Sequence, residues 1–226
     1  MVLRDDNFAT IVAAVEEGRV IYDNVRRFVK FSIAGNIGKV GVMLLSPLVG
    51  INVALLPLQL LWLNLMTDGL LGLGMGVEPA EKNTMHRPPH SPKTGLFSEG
   101  MGVHVVWVGA LIGVISLGLG WWYYAQGLHQ WQTMLFTTLA FAQVWQALAT
   151  RSIRESFFTL GLLSNRLMLS LVIAVVIAQL IVLFVPSLED FFKVEEISAF
   201  DLALSAGVSS SVLWAIELEK WLLRRK

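Results

Sequence analysis

Six apolar runs constrain this chain more than any other feature, because each is near the length that crosses a hydrocarbon core as a helix, about 20 residues. They cover residues 31–49, 53–77, 103–124, 133–149, 167–185 and 200–221. Charged residues make up only 15% of the chain and hydrophobic ones 55%, against about 25% charged in an ordinary soluble domain. Too little polar surface remains to cover a water-soluble fold. The expected fold is therefore all-α: a polytopic membrane helix bundle with six transmembrane helices over residues 31–226. An N-terminal cytoplasmic amphipathic stalk helix within residues 1–30 precedes it. A formal net charge of +0 gives no pull toward nucleic acid. With no cysteine, disulfide frameworks, thiolate zinc sites and thiol chemistry are excluded. The first 30 residues are charged and lack the apolar core of a signal peptide.

Basic residues set the expected orientation. All Lys and Arg except Lys39 and Lys193 lie before the first run, between the second and third, between the fourth and fifth, or at and beyond the end of the sixth. Lys and Arg collect on the cytoplasmic side of short loops, so both termini are expected in the cytoplasm. The opposite loops carry Glu189, Asp190, Glu195 and Glu196. Trp121, Trp122, Tyr123 and Trp131 cluster at one outer boundary, as interfacial aromatics do. The expected location is the plasma (inner) membrane, with the lipid bilayer as the first partner. In the N-terminal segment, Asp5-Asp6-Asn7 suits a helix start. Phe8, Ile11, Val12, Val15, Tyr22, Val25 and Val29 then recur at helical spacing, with a break expected near Gly18. That stripe needs something to pack on. Glu16, Glu17 and Asp23 make anionic lipid a poor choice, so a cytoplasmic domain is the better one. The loop from His86 to Gly95 reads as a solvated, proline-rich connector, since two histidines without further ligands make a weak metal site.

Ionisable groups inside a membrane are expensive and mark function. Two sit deep, Lys39 in the first run and Asp68 in the second. Lys39 lies nine residues beyond Lys30, about 13 Å along a helix, too far for easy snorkelling. A short turn near Gly50-Ile51-Asn52 should fold the two runs into a hairpin and bring the pair together, as a functional site or as a structural salt bridge. Asn36 shares the Lys39 face at i, i+3. Asn64, Thr67 and Asp68 share one side of the second run at i, i+3, i+4. Carboxylate, amide and hydroxyl oxygens on one buried face suit a hard cation. Gly69, Gly72, Gly74 and Gly76 follow, and either free carbonyls beside the site or pack helices closely. Gly72/Gly76 and Gly109/Gly113 both have the small-xxx-small spacing. Gln143 and Gln146, one turn apart in the fourth run, either line the site or bond neighbouring helices.

The stretch from Val2 to Val12, with Val15-Glu16-Glu17-Gly18-Arg19, closely resembles the end of the phosphorylation domain and the stalk of type II P-type cation-transporting ATPases. Leu61-Trp62-Leu63-Asn64-Leu65-Met66-Thr67-Asp68-Gly69 and Gly76-Val77-Glu78-Pro79 resemble the sixth membrane span of its calcium-pump branch. The resemblance covers the whole chain and is weakest after residue 100. It implies that Asn36, Asn64, Thr67 and Asp68 are cation ligands. It also implies two departures. Lys39 stands where two-site calcium pumps carry a ligating glutamate, and Gln143 stands where they carry another. The transported ion is then calcium or another single cation, the proton included, with Lys39 as an internal counter-charge. The family's Asp-Lys-Thr-Gly and Gly-Asp-Gly motifs are absent from the sequence. Mg2+ and ATP are therefore expected to act only in a complete parent, on N-terminal and cytoplasmic domains outside this chain, and the chain alone should hydrolyse no ATP. Two other classes stay open: a non-enzymatic remnant or regulatory bundle that pairs with a full-length pump, and an autonomous channel or secondary transporter. The stalk argues against the channel, and no internal symmetry supports a secondary transporter.

Overall fold

The computed structural model describes residues 8–81, 84–88, 95, 97, 100–152 and 155–225. The expected helix cap at Asp5-Asp6-Asn7 and most of the loop from His86 to Gly95 lie outside them. Among the described residues every regular element is helical. Four helical stretches are long and apolar enough to cross a membrane: Phe8–Val49, Met101–Ala125, Arg166–Phe184 and Ala199–Arg224. The chain is an integral membrane protein.

Helix α1 (Phe8–Leu45) runs unbroken through Gly18, so the expected break is absent. A 3-10 turn, Ser46–Val49, closes on Gly50 in the left-handed region at φ 85, where glycine carries no Cβ penalty. The chain then stays irregular to Leu56, and α2 begins at Pro57 (Pro57–Trp62) rather than at residue 53. Proline suits the first helical position and keeps the residue before it extended. The Gln59 side chain completes the start by accepting from the Leu56 N–H at 3.0 Å.

The second run is not one regular helix. After α2 comes a π-helical segment, Leu63–Gly69, then α3 (Leu70–Gly76). The glycines do not unwind the helix. The irregularity sits one turn earlier and encloses Asn64, Thr67 and Asp68. The third run is α4 (Met101–Ala125). The fourth is α5 (Trp131–Thr150), in which every residue from Thr133 to Thr150 except Trp145 is buried. A helix that meets protein on all sides can carry Thr and Gln without exposing them to lipid, which explains its polarity. After the short α6 (Phe157–Leu160) comes α7 (Arg166–Phe184), capped by Asn165, whose side chain accepts from the Met168 N–H at 2.8 Å. Next is α8 (Pro186–Phe192), which the sequence pattern did not foretell.

The sixth run is split into α9 (Ala199–Ser209) and α10 (Ser211–Arg224). Ser209, Ser210 and Ser211 each donate a hydroxyl to a carbonyl three residues back, a contact that interrupts and bends helices.

Helices α1 and α4 touch backbone to backbone. A Cβ on Gly109 would lie 2.6 Å from Ile37 Cβ and 2.7 Å from the Ala34 carbonyl oxygen, and one on Gly113 would lie 3.2 Å from the Gly38 carbonyl. The small-residue spacing there is a packing device. At the other pair only Gly72 packs, against the Phe28 ring, while a Cβ on Gly76 would meet nothing within 4 Å.

The lower half of α1 docks on this chain through its polar face. Its apolar stripe is open, with Phe8 81% and Val12 52% exposed, whereas Asp23, Asn24, Arg26 and Arg27 are buried. The charged face docks on the segment after α3. Arg19 donates to the carbonyls of Thr84 and Arg87, and Asn24 to those of Gly76 and Glu78. Arg27 pairs with Glu81 at 2.8 Å, and Asp23 with Arg87 at 2.6 Å. Of the outer aromatics, Trp121 and Trp122 are exposed, but Tyr123 is buried and donates its hydroxyl to Asp201.

Candidate cation site

The site forms where α1, the π-helical segment and α5 meet. One side comes from α1, which presents Asn36 and Lys39 one turn apart. The π-helical segment widens the opposite wall around Asn64, Thr67 and Asp68, and such single-turn bulges recur at functional positions. Lys39 Nζ lies 2.6 Å from Asp68 Oδ2 and 2.5 Å from Asn64 Oδ1. The pair is enclosed, with side chains 4% and 11% exposed. Both expected deep charges therefore meet. A lone charge at that depth would carry a large desolvation cost, which each partner offsets for the other.

Behind the pair stands α5. Thr67 Oγ1 contacts both the Leu63 carbonyl oxygen and the Gln143 side-chain amide. Gln146 Nε2 donates to the Phe31 carbonyl at 3.1 Å, which fixes that amide's orientation. Asp68 Oδ1, Gln143 Nε2 and Gln146 Oε1 are buried and have no hydrogen-bond partner among the described residues. All three face one point. A Cβ built on Gly35 would lie 3.0 Å from Gln143 Nε2 and 3.7 Å from each of Asp68 Oδ1 and Gln146 Oε1. Gly35 is thus the position at which the absence of a side chain keeps a small polar space open between α1 and α5.

On the other side Asp68 borders a groove of about 850 Å³ between α1 and α3, lined also by Asn24, Phe28, Ser32, Asn36 and Asn64. Asn36 is exposed there and bonds only weakly, to Ser32 at 3.5 Å. Lys39 and Asp68 with Asn64, and Thr67 with Gln143, are therefore in direct contact. Asn36 shares the groove, and Gln146 shares the polar space beside Gly35. The arrangement offers a cation one carboxylate oxygen free of partners, with amide and hydroxyl oxygens around it, at the cost of displacing an ammonium.

Two features escaped the sequence pattern. Gly35 lies one turn before Lys39 on the same face (i, i+4), which is a legible signal for close approach. The second is a buried polar clamp at the Lys- and Arg-rich end. Arg151 Nη2 lies 2.7 Å from Glu78 Oε1, and Nε bonds both carboxylate oxygens. Asn165 Nδ2 donates to Glu78 Oε2 at 2.7 Å and to the Gly74 carbonyl at 3.1 Å. The clamp ties the end of α3 to α5 and α7, and so sets where Asp68 stands relative to Gln143.

Comparison with known proteins identifies the family. The family model for the cation-transporting ATPase C-terminus matches residues 52–222. A calcium-transporting ATPase of Bacillus subtilis is 37% identical over 213 residues, 93% of this chain and 24% of that protein. The human calcium-transporting ATPase type 2C member 1 is 32% identical over 222 residues, 97% of this chain and 24% of that protein. Calcium-transporting ATPase 1 of Yarrowia lipolytica is 32% identical over 228 residues, 100% of this chain and 25% of that protein. The chain spans about a quarter of the length of these relatives.

Proposed function

We propose, from the premise that this chain belongs to the cation-transporting ATPase C-terminus family, that it is the ion-binding membrane half of an ATP-driven pump carrying one calcium ion per cycle. Calcium is taken from the relatives, all named as calcium transporters. The single ion is argued from Lys39, whose ammonium touches both Asn64 and Asp68. A divalent ion about 4 Å from that ammonium would meet a repulsion of about 8 kcal/mol at an effective dielectric constant near 20. Lys39 thus stands in for a second cation. It neutralises Asp68 when the site is empty and withdraws when the ion arrives.

Gln146 Oε1, an acceptor without a partner beside Gly35, provides a place for the ammonium to go. Gln143 adds a second acceptor there if its amide is turned. Thr67 has one hydroxyl proton and donates it to the Leu63 carbonyl, so the Gln143 NH2 group can donate to Thr67 and leave its own oxygen facing Gly35. The ion is then held by Asp68, Asn64, Thr67 and, from the groove, Asn36.

In this reading the chain makes six passes: α1 above Lys30, the α2–α3 run, α4, α5, α7 and the α9–α10 run. Both termini are in the cytoplasm, and the plasma membrane is the site of action. The lower half of α1 is the stalk. Its exposed stripe at Phe8 and Val12 is the surface for the cytoplasmic domains, where Mg2+ and ATP act. The observation that carries the reading is the enclosed Lys39–Asp68 pair at 2.6 Å beside the groove that Asp68, Asn64 and Asn36 line. Asp68→Asn in the complete pump tests it. Ion-dependent phosphorylation from ATP should vanish while expression persists. A variant that transports at the normal rate would sink the proposal.

A further inference from the structure

Away from the cation cluster, on the side poor in Lys and Arg, α4 and α9 enclose a cavity of about 600 Å³, within the size range of small-ligand pockets. Its deep wall is apolar, built from Ile115, Leu119, Leu204 and Val208, and its shallow end carries Gln126, Gln130 and Asp201. The shallow end coincides with the end of α4 at Ala125 and the start of α9 at Ala199. From Ile115 to Gln126 the wall rises about 16 Å along the helix, close to the half-thickness of a bilayer's hydrocarbon core, about 15 Å. Trp122 and Phe200, 64% and 73% exposed, flank the mouth, while Leu119 and Tyr123 are buried at its floor. Both helices lie in stretches fit to cross the membrane, so this mouth opens on lipid.

The shallow end also has a definite charge character. Asp201 is 8% exposed. It accepts the Tyr123 hydroxyl on Oδ1, and the Ser198 N–H and hydroxyl on Oδ2 at 3.0 and 2.7 Å. A carboxylate offers about four acceptor positions, so one remains on Oδ1. Gln126 Nε2 is committed to the Trp122 carbonyl at 3.3 Å, which leaves its Oε1 as an acceptor. Among the described residues no Lys or Arg lines the cavity, and the segment between α7 and α9 carries Glu189, Asp190, Glu195 and Glu196 against Lys193 alone. An end rich in acceptors and negative charge favours a headgroup that brings N–H donors and positive charge. It disfavours a purely anionic headgroup, and it gives a quaternary amine nothing to bond.

We infer that this cavity holds one phospholipid with a primary-amine headgroup, its ammonium at Asp201 and Gln126 and one acyl chain along Ile115, Leu119, Leu204 and Val208. The inference does not depend on which ion is carried, and its test does not involve transport. The full-length protein carrying this chain is purified in mild detergent, delipidated, and offered equal amounts of dioleoyl phosphatidylethanolamine, phosphatidylcholine and phosphatidylglycerol before native mass spectrometry. One phosphatidylethanolamine should be retained per molecule, about tenfold in preference to the other two, the ratio that one charge-assisted hydrogen bond supports. A Cβ on Gly118, which lines the cavity, would meet nothing within 4 Å. Gly118→Trp therefore fills the space without a clash near its Cβ and should abolish the adduct. Leu204→Phe narrows the same channel and should weaken it. Asp201→Asn keeps hydrogen-bonding capacity but removes the charge, and should erase the preference over phosphatidylcholine. Equal retention of the three lipids by the unmodified protein would overturn the inference without recourse to any variant. So would a full adduct in folded Gly118→Trp, or a second polypeptide occupying the groove.

Discussion

Replacing Arg151 with Met should destabilise the bundle more than any surface change, and the magnitude follows from the clamp. Arg151 is 1% exposed at its side chain and Glu78 4%. The guanidinium also donates to the Gly161 carbonyl at 3.0 Å and to Ser164 Oγ at 2.5 Å. Methionine fills much of the volume but leaves Glu78 buried, with Asn165 as its remaining side-chain donor. Removing one partner of a buried ion pair costs about 3–5 kcal/mol. At roughly 2–4 °C per kcal/mol for a chain of this size, the midpoint should fall by about 10 °C. Thermal dispersal in detergent, followed by gel filtration with fluorescence detection, measures it. The double variant Glu78→Gln/Arg151→Met removes the stranded charge and should recover part of the loss, as coupled neighbours do. An unchanged midpoint for Arg151→Met, or a double variant worse than the sum of the singles, would refute the clamp.

Gly35→Val places carbon about 3.0 Å from the Gln143 amide and closes the space into which Lys39 withdraws. The ion concentration giving half-maximal phosphorylation should rise at least about tenfold, a cost of about 1.4 kcal/mol. Gly41→Val, at a position where a Cβ meets nothing within 4 Å, should be neutral. Glu81 predicts a pH dependence. Burial pushes its carboxyl up, but the Ser152 hydroxyl at 2.6 Å and the Arg27 and Arg87 charges outweigh that and hold it below its ordinary 4.5. A lowered carboxylate contributes stability that is fully present above the unfolded value and is lost as pH falls through the folded one. The melting temperature should therefore drop below about pH 4.5, and Glu81→Gln should flatten that drop. Parallel curves for the two proteins would contradict the assignment.

The helical class, the meeting of Lys39 with Asp68 and the grouping of Asn64, Thr67 and Asp68 were all legible in the sequence. Depth in an apolar run and spacing of three or four residues fix them without tertiary information. The burial of α5 was not legible, because Gln143, Gln146 and the Thr residues read as a weak span when they mark a helix shielded from lipid. The π-helical segment was also hidden. Its residues have no composition of their own, and the glycines that follow drew attention one turn too late. The polar docking face of α1 was not legible, because hydrophobic spacing shows which face wants burial but not which other face finds partners within the chain. Here Arg19, Asn24 and Arg27 find carbonyls and Glu81 nearby, while the stripe at Phe8 and Val12 stays open.

Calcium counted per molecule tests the account most directly. Equilibrium binding of radiolabelled calcium to the complete pump, and to its Lys39→Glu variant, separates an internal counter-charge from a structural salt bridge. The account predicts one ion in the unmodified protein, and a rise toward two, or a clear gain in affinity, when the ammonium becomes a carboxylate. Two ions bound with Lys39 in place, or a folded Lys39→Glu protein with unchanged count, affinity and pH dependence, would contradict it.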